Sequence, residues 1–332
     1  MMSDETILQV KDLRTYFHTD AGVVKSVDGI SFDLKKGEVL GVVGESGSGK
    51  SVSNLSVINL IQFPGKIESG EVLYHGQDIL KMSDKEIRKI RGNKISMIFQ
   101  DPMTSLNPFL KISTQMIETI RLHQGLDKKA AKAKAIEMLK LAGIPGAEER
   151  IDCYPHQFSG GMRQRVMIAM GLSCNPEILI ADEPTSALDV TIQAQILELM
   201  KELTNKLGTA VIMITHSLGV VAGMCDTINV MYAGRVVERA PTKELFKNTK
   251  HPYTKGLIAS VPRLDKPIED RLYSIPGTPP NVIDLPPCCP FYPRCSQAKE
   301  MCKKAYPPVK DFGNGHTCSC WLYADDKTEE TK

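Results

Sequence analysis

The sequence predicts an α/β fold: a mixed, largely parallel sheet core, an antiparallel N-terminal part, a helical middle, and a Pro- and Cys-rich C-terminal extension. Three observations carry this. Strand-length apolar runs alternate with helical stretches, the pattern of a parallel core sheet. A glycine-rich turn, Gly44-Glu-Ser-Gly-Ser-Gly-Lys-Ser51, sits between one such strand and a helix. From about Pro241 the composition shifts to proline-rich, which excludes long helices and central strands.

The elements follow in order. Ile7–Val10, Val23–Val24, Ile30–Leu34 and Val39–Val43 read as strands, with turns at Asp20–Gly22 and Lys35–Gly37. A helix starts at Lys50, and Gly70–Gly76 returns as a strand. Ile95–Phe99 is a further strand, and residues 102–165 are mainly helical. Within them, Ala131, Ala135, Met138, Leu139 and Leu141 are set among lysines, an amphipathic pattern. Its apolar face suits either its own subdomain or a membrane partner. Strands recur at Glu177–Ala181, Ala210–Thr215 and Ile228–Tyr232; Asp325–Lys332 is expected to be disordered.

At 332 residues the chain accommodates a large core plus one or two appendages. Its net charge of +2 gives no global attraction to nucleic acid or anionic lipid. Met1-Met-Ser-Asp-Glu-Thr6 lacks the basic-then-apolar pattern of a secretory signal. Leu207–Cys225 runs 19 residues without Asp, Glu, Lys or Arg, long enough to span a bilayer. Glycines and polar residues interrupt it, so a buried strand followed by a loop and a helix is the better reading, and a soluble chain is expected.

The residues Gly44, Glu45, Ser46, Gly47, Ser48, Gly49, Lys50 and Ser51 fit G-x-x-x-x-G-K-[ST], the phosphate-binding loop. Such a loop works because backbone N–H groups and a helix N-terminus converge on an anion. Lys50 would neutralise β- and γ-phosphates, and Ser51 would coordinate Mg²⁺. Further on, Ile178-Leu-Ile-Ala-Asp-Glu183 is an apolar run ending in two carboxylates. Asp182 suits the Mg²⁺ shell, and Glu183 suits orienting or deprotonating an attacking water. Alone, that run would be an ordinary strand end.

Between the two lies Phe158-Ser-Gly-Gly-Met-Arg-Gln-Arg165. This order of motifs resembles the nucleotide-binding subunits of ATP-binding cassette (ABC) transporters. The resemblance implies a P-loop NTPase cassette over residues 6–250, with a helical signature subdomain at about 102–165 and an extension over 251–324. It implies ATP and Mg²⁺ as cofactors. By motif, Gln100 corresponds to the glutamine that contacts Mg²⁺ and water, Ser186-Ala-Leu-Asp189 to the D-loop, and His216 to the histidine that hydrogen-bonds the γ-phosphate. Phe17, together with Tyr16 beside it, corresponds to the aromatic that stacks on adenine. Ser159, Gly160 and Gly161 would complete the ATP site of an opposing subunit.

Gln100-Asp-Pro-Met-Thr-Ser-Leu-Asn-Pro108 and His251-Pro-Tyr-Thr-Lys-Gly-Leu257 look like ATPase subunits of dipeptide and oligopeptide importers, and Met162 favours the first of the two paired ATPases. Implied partners are a second ABC ATPase, two transmembrane permeases and an extracytoplasmic peptide-binding protein, with the chain peripheral at the cytoplasmic face of the membrane. An importer of nickel or another small solute, and a soluble ABC ATPase outside transport, are the alternatives.

Nine cysteines are present, six of them between Cys288 and Cys320. Cys289-x5-Cys295-x6-Cys302-x17-Cys320 resembles the same group's C-terminal cluster pattern, with Cys288 and Cys318 as extra thiols. The spacing lacks the close cysteine pairs usual for zinc and suits a [4Fe–4S] cluster, with zinc or no metal as the alternatives. A proline-rich tail with few apolar residues needs a crosslink to hold one shape. Its loss is expected to unfold the tail and spare the phosphate loop, which the sequence places in a different domain.

Overall fold

The structure is a computed structural model describing residues 5–186, 188–261, 273–283 and 285–324. The tail 325–332 and the first four residues of the chain, on which two expectations rest, lie outside these. The strands, in chain order, are β1 (Thr6–Thr19), β2 (Gly22–Lys35), β3 (Val39–Val43), β4 (Gly65–Tyr74), β5 (Gln77–Asp78), β6 (Ile95–Ile98), β7 (Ile178–Asp182), β8 (Ala210–Thr215), β9 (Thr227–Tyr232), β10 (Arg235–Pro241), β11 (Val309–Asp311) and β12 (Thr317–Ser319). The chain forms two compact, interleaved units: one gathers Leu34–Val39 and Lys81–Ile214, the other Leu8–Asp33, Leu40–Leu80 and the chain from Thr215 onward.

The first unit is a parallel sheet with helices. β7 pairs with β6 through Ile95↔Ile178 to Ile98↔Ala181, and with β8 through Ile178↔Ala210 to Asp182↔Ile214. All five β7 residues are buried, which is why the segment reads as a continuous apolar run. The helix Ile112–Gln124 packs on Lys128–Leu141, and that helix packs on Gly160–Leu172. Ala131, Ala135, Met138 and Leu139 are all buried, so the amphipathic face is used inside its own unit. The 18-residue helix Val190–Leu207, absent from the sequence expectation, buries Ile196, Leu199, Met200 and Leu203 at helical spacing. Gly208, in the left-handed region, ends it.

The second unit holds the antiparallel sheet, in the order β2-β1-β4-β5. Here the expected short strands are longer: β1 and β2 each run 14 residues. β1 stays paired with β4 through register shifts between Lys11 and Thr15, which absorb the break in its alternation. A second group of strands runs β11-β12-β10-β9-β3, with β3 parallel to β9 and the rest antiparallel. As the prolines dictate, the described residues of the extension form only short elements, among them the helix Pro252–Ala259.

One of its polar anchors is Glu238 on β10, which is fully buried. The carboxylate accepts from the Lys250 and His251 backbone N–H groups at 2.7 and 2.9 Å and contacts His316 Nε2 at 2.9 Å. Among the described residues, no helix is long and apolar enough to cross a membrane.

Candidate functional site

In the second unit, β3 runs into the loop at Gly44 and the loop opens the helix Lys50–Val57. Two glycines are required by space. A Cβ on Gly44 would lie 2.3 Å from the Met231 carbonyl oxygen, and one on Gly49, whose φ is 97°, 2.1 Å from that of Ser26. The loop is stitched by Gly234 N–H to Ser48 O at 3.0 Å. Lys50 is buried, and its Nζ donates to the Gly44 and Glu45 carbonyls at 2.8 Å each. Ser48 Oγ is buried in the loop without a hydrogen-bond partner among the described residues. A buried cation, an orphaned hydroxyl and a backbone cradle that Cβ atoms would fill fit a bound polyphosphate.

Tyr16 and Phe17 point to opposite faces of β1. The Tyr16 hydroxyl is committed to Asp28 Oδ1 at 2.8 Å, in a network with Arg14 and Arg235. Phe17 pairs with Gly65, where a Cβ would come 2.6 Å from its ring. Phe17 is therefore the aromatic whose ring is not engaged in a polar network. In the same unit His216 follows β8 and is exposed.

In the first unit, Asp182 ends β7 and is buried, and Glu183 follows with φ 44°, a conformation rare for a residue with a side chain. The Glu183 N–H donates to the Ile214 carbonyl at 3.0 Å. Its Oε2 accepts from Gln100 Nε2 at 3.0 Å and Ser186 Oγ at 2.7 Å. Gln100 and Glu183, predicted as catalytic from separate motifs, are thus brought together. Ser186, noted in the sequence only as part of the D-loop, is the third member. Two donors on one carboxylate oxygen hold its orientation.

Ser159 caps the helix Gly160–Leu172 by accepting from Met162 N–H at 3.3 Å. A Cβ on Gly161 would come 2.9 Å from Ile192 Cγ2, so its smallness also serves packing.

The cysteine-rich segment carries the four thiols singled out by spacing. Cys289 N–H donates to the Cys302 carbonyl at 3.0 Å, and Lys299 N–H to Cys302 Sγ at 3.3 Å. Burial pushes the Cys289 thiol up to about 12, with Cys302, Cys320 and Cys295 adding to the shift. Burial likewise raises Cys295 and Cys320, each with Cys302 contributing. The structure does not support the metal expectation. Among the described residues, no group of three or more His, Cys, Asp or Glu side chains is arranged to hold a metal ion.

Sequence reasoning set the phosphate loop and the tail apart, and the structure joins them. The Glu45 N–H donates to the Tyr253 hydroxyl at 2.9 Å. Arg294, one residue before Cys295, grips the Glu45 carboxylate with two bonds of 2.6 and 3.0 Å. The segment His251–Leu257 had served only as a subfamily mark. In the structure, His251 caps the helix through Nδ1, which accepts from Tyr253 N–H at 3.1 Å. Burial depresses that imidazole to about 3, so it stays neutral and able to accept. The sequence marked Tyr253 and Arg294 only as parts of subfamily motifs and not as partners of Glu45, which lies some two hundred residues away.

The sequence model of the family described as "ABC transporter" matches residues 27–186, and that of "Oligopeptide/dipeptide transporter, C-terminal region" matches residues 237–302. The oligopeptide transport ATP-binding protein OppD of Haemophilus influenzae is 50% identical over 96% of this chain and 98% of its own length. The dipeptide transport ATP-binding protein DppD of Bacillus subtilis is 51% identical over 96% of this chain and 95% of its own. Among solved structures, a dimeric ATP-binding cassette in a post-hydrolysis state, bound to ADP and Pi, superposes with a TM-score of 0.64 at 29% identity, covering 71% of this chain and 98% of that one.

Proposed function

The chain belongs to the ATP-binding proteins of oligopeptide and dipeptide ABC transporters, and from that premise we propose that it is the ATP-hydrolysing subunit of a membrane importer of di- or oligopeptides. The observation that carries the enzymatic part is the Glu183 carboxylate, held by Gln100 and Ser186 at the carboxyl end of a buried parallel strand. A fixed, charged acceptor at that position suits drawing a proton from water.

The other roles follow by motif. Gly44–Ser51 binds the phosphates, with Lys50 supplying the charge, and Phe17 stacks on adenine. Ser51 and Asp182, with Gln100, would hold Mg²⁺, which when bound neutralises phosphate oxygens. His216 donates to the terminal phosphate. Ser159–Gly161 acts on nucleotide held by a second ABC ATPase, and two permeases with an external peptide-binding protein complete the transporter at the cytoplasmic face. We read residues 6–250 as the cassette and 251–324 as the extension.

Assembly tests this reading. With permeases and the paired ATPase present, ATP turnover should rise well above that of the isolated chain, and peptide uptake into vesicles should require ATP. Full, concentration-independent turnover from a demonstrated monomer would sink the shared-site arrangement.

In the extension, Cys289, Cys295, Cys302 and Cys320 are proposed to take one [4Fe–4S] cluster, with Cys288 and Cys318 dispensable. The raised thiols must lose protons to bind, so occupancy should fall as pH drops. Anaerobically purified protein should be brown, and each of the four Cys→Ser changes should lower its iron content. Stoichiometric zinc without iron rejects the cluster, and absence of any metal rejects the site.

A further inference from the structure

The four variable positions of a phosphate-binding loop are open to many residues, and here one of them is a carboxylate. Glu45 stands directly after Gly44 in a loop whose purpose is to attract an anion. Its charge would repel the phosphates unless it were neutralised and held aside. The structure contains a group placed to do this. Arg294 has a side chain only 5% exposed, and it meets Glu45 as a two-pronged fork, Nη1 to Oε2 at 2.6 Å and Nη2 to Oε1 at 3.0 Å.

The guanidinium is itself fixed. Nε donates to the Pro276 carbonyl at 2.9 Å, Nη2 to that of Ile275 at 3.4 Å, and Nη1 to the Tyr232 hydroxyl at 3.3 Å. Each nitrogen is therefore engaged, and the planar fork leaves one orientation for Glu45. The aromatic rings of Tyr232, Tyr253 and Phe291 pack against one another beside it, with centroids 4.6 to 5.4 Å apart. Tyr253 meanwhile holds the Glu45 backbone by accepting its N–H.

We infer that Arg294 is a positioning residue for nucleotide binding: supplied by the cysteine-rich extension, it neutralises and orients Glu45 so that the phosphate loop accepts a polyphosphate. The extension is then a working part of the nucleotide site. This rests on the reading of Gly44–Ser51 as the nucleotide loop, and the test separates the two.

ATP affinity of the full chain is measured by titration with MgATP, and KM and kcat are measured in the assembled transporter. Arg294→Ala should weaken ATP binding on the order of tenfold or more, as expected for one unneutralised charge near a bound polyanion. KM should rise while kcat at saturating ATP changes little. The defect should shrink as ionic strength rises, because screening weakens the exposed charge. Adding Glu45→Gln to Arg294→Ala should restore affinity, since the repelling charge is then gone.

Unchanged affinity in Arg294→Ala overturns the inference. So does a double variant as weak as the single one, because Arg294 would then act only by holding the tail together. If Arg294→Ala does not fold, Arg294→Gln replaces it: it removes the charge while keeping a donor toward Pro276, and the same pair of outcomes decides. Lys50→Ala is the control. If that change leaves ATP binding intact, the loop reading fails and this inference with it. If it removes binding while Arg294→Ala does not, this inference alone fails.

Discussion

Glu183→Gln is expected to lower ATP turnover of the assembled transporter by about 10²–10⁴-fold, the range typical for loss of a general base. That corresponds to about 3–5 kcal/mol of transition-state stabilisation. Glutamine has nearly the same shape, so the strand end and its N–H bond to Ile214 should survive. What disappears is the negative charge that Gln100 and Ser186 now orient. ATP binding should therefore persist, and the variant should accumulate as an ATP-bound closed dimer with its paired ATPase. Turnover within a few-fold of the unmodified transporter would remove Glu183 from the mechanism.

Lys50→Ala acts one step earlier. The ammonium is buried and already desolvated, held by two loop carbonyls at 2.8 Å. Its transfer to phosphate oxygens exchanges these for charge-assisted bonds worth about 1.5–3 kcal/mol each. Removing it should weaken ATP binding by about 100-fold or more and abolish measurable turnover. Binding by the full chain is the direct readout, and a change of less than a few-fold contradicts the assigned role. The two variants differ in kind: Glu183→Gln binds without turning over, and Lys50→Ala does not bind.

Legibility in the sequence followed locality. The loop could be read because its requirements are local: glycines where a Cβ would strike Met231 or Ser26, and a lysine at the helix start. β7 and β8 could be read because burial on both sides leaves continuous apolar runs. The helix Val190–Leu207 could have been read too, since Ile196, Leu199, Met200 and Leu203 keep helical spacing. β10 was harder, because Arg235-Val-Val-Glu-Arg-Ala-Pro241 mixes charges into a strand. Glu238 is buried there only because His316 and two distant backbone N–H groups meet it. The Gln100–Glu183 pair was legible as two roles and illegible as one contact. Nothing local in Arg294 points to Glu45, 249 residues away.

The pairing of β10 with β12 through Glu238↔Cys318 and Arg239↔Thr317 has a practical consequence for handling the protein. β12 in turn carries the three-residue β11, so this group of strands finishes in a strand too short to recruit another. A chain cut before Val309 would lose both. The outward N–H and C=O groups of β10 would then stand open as a template for a strand from another molecule. Trimming the cysteine-rich segment to obtain a minimal ATPase would thus trade a proline- and cysteine-rich appendage for an aggregation-prone edge.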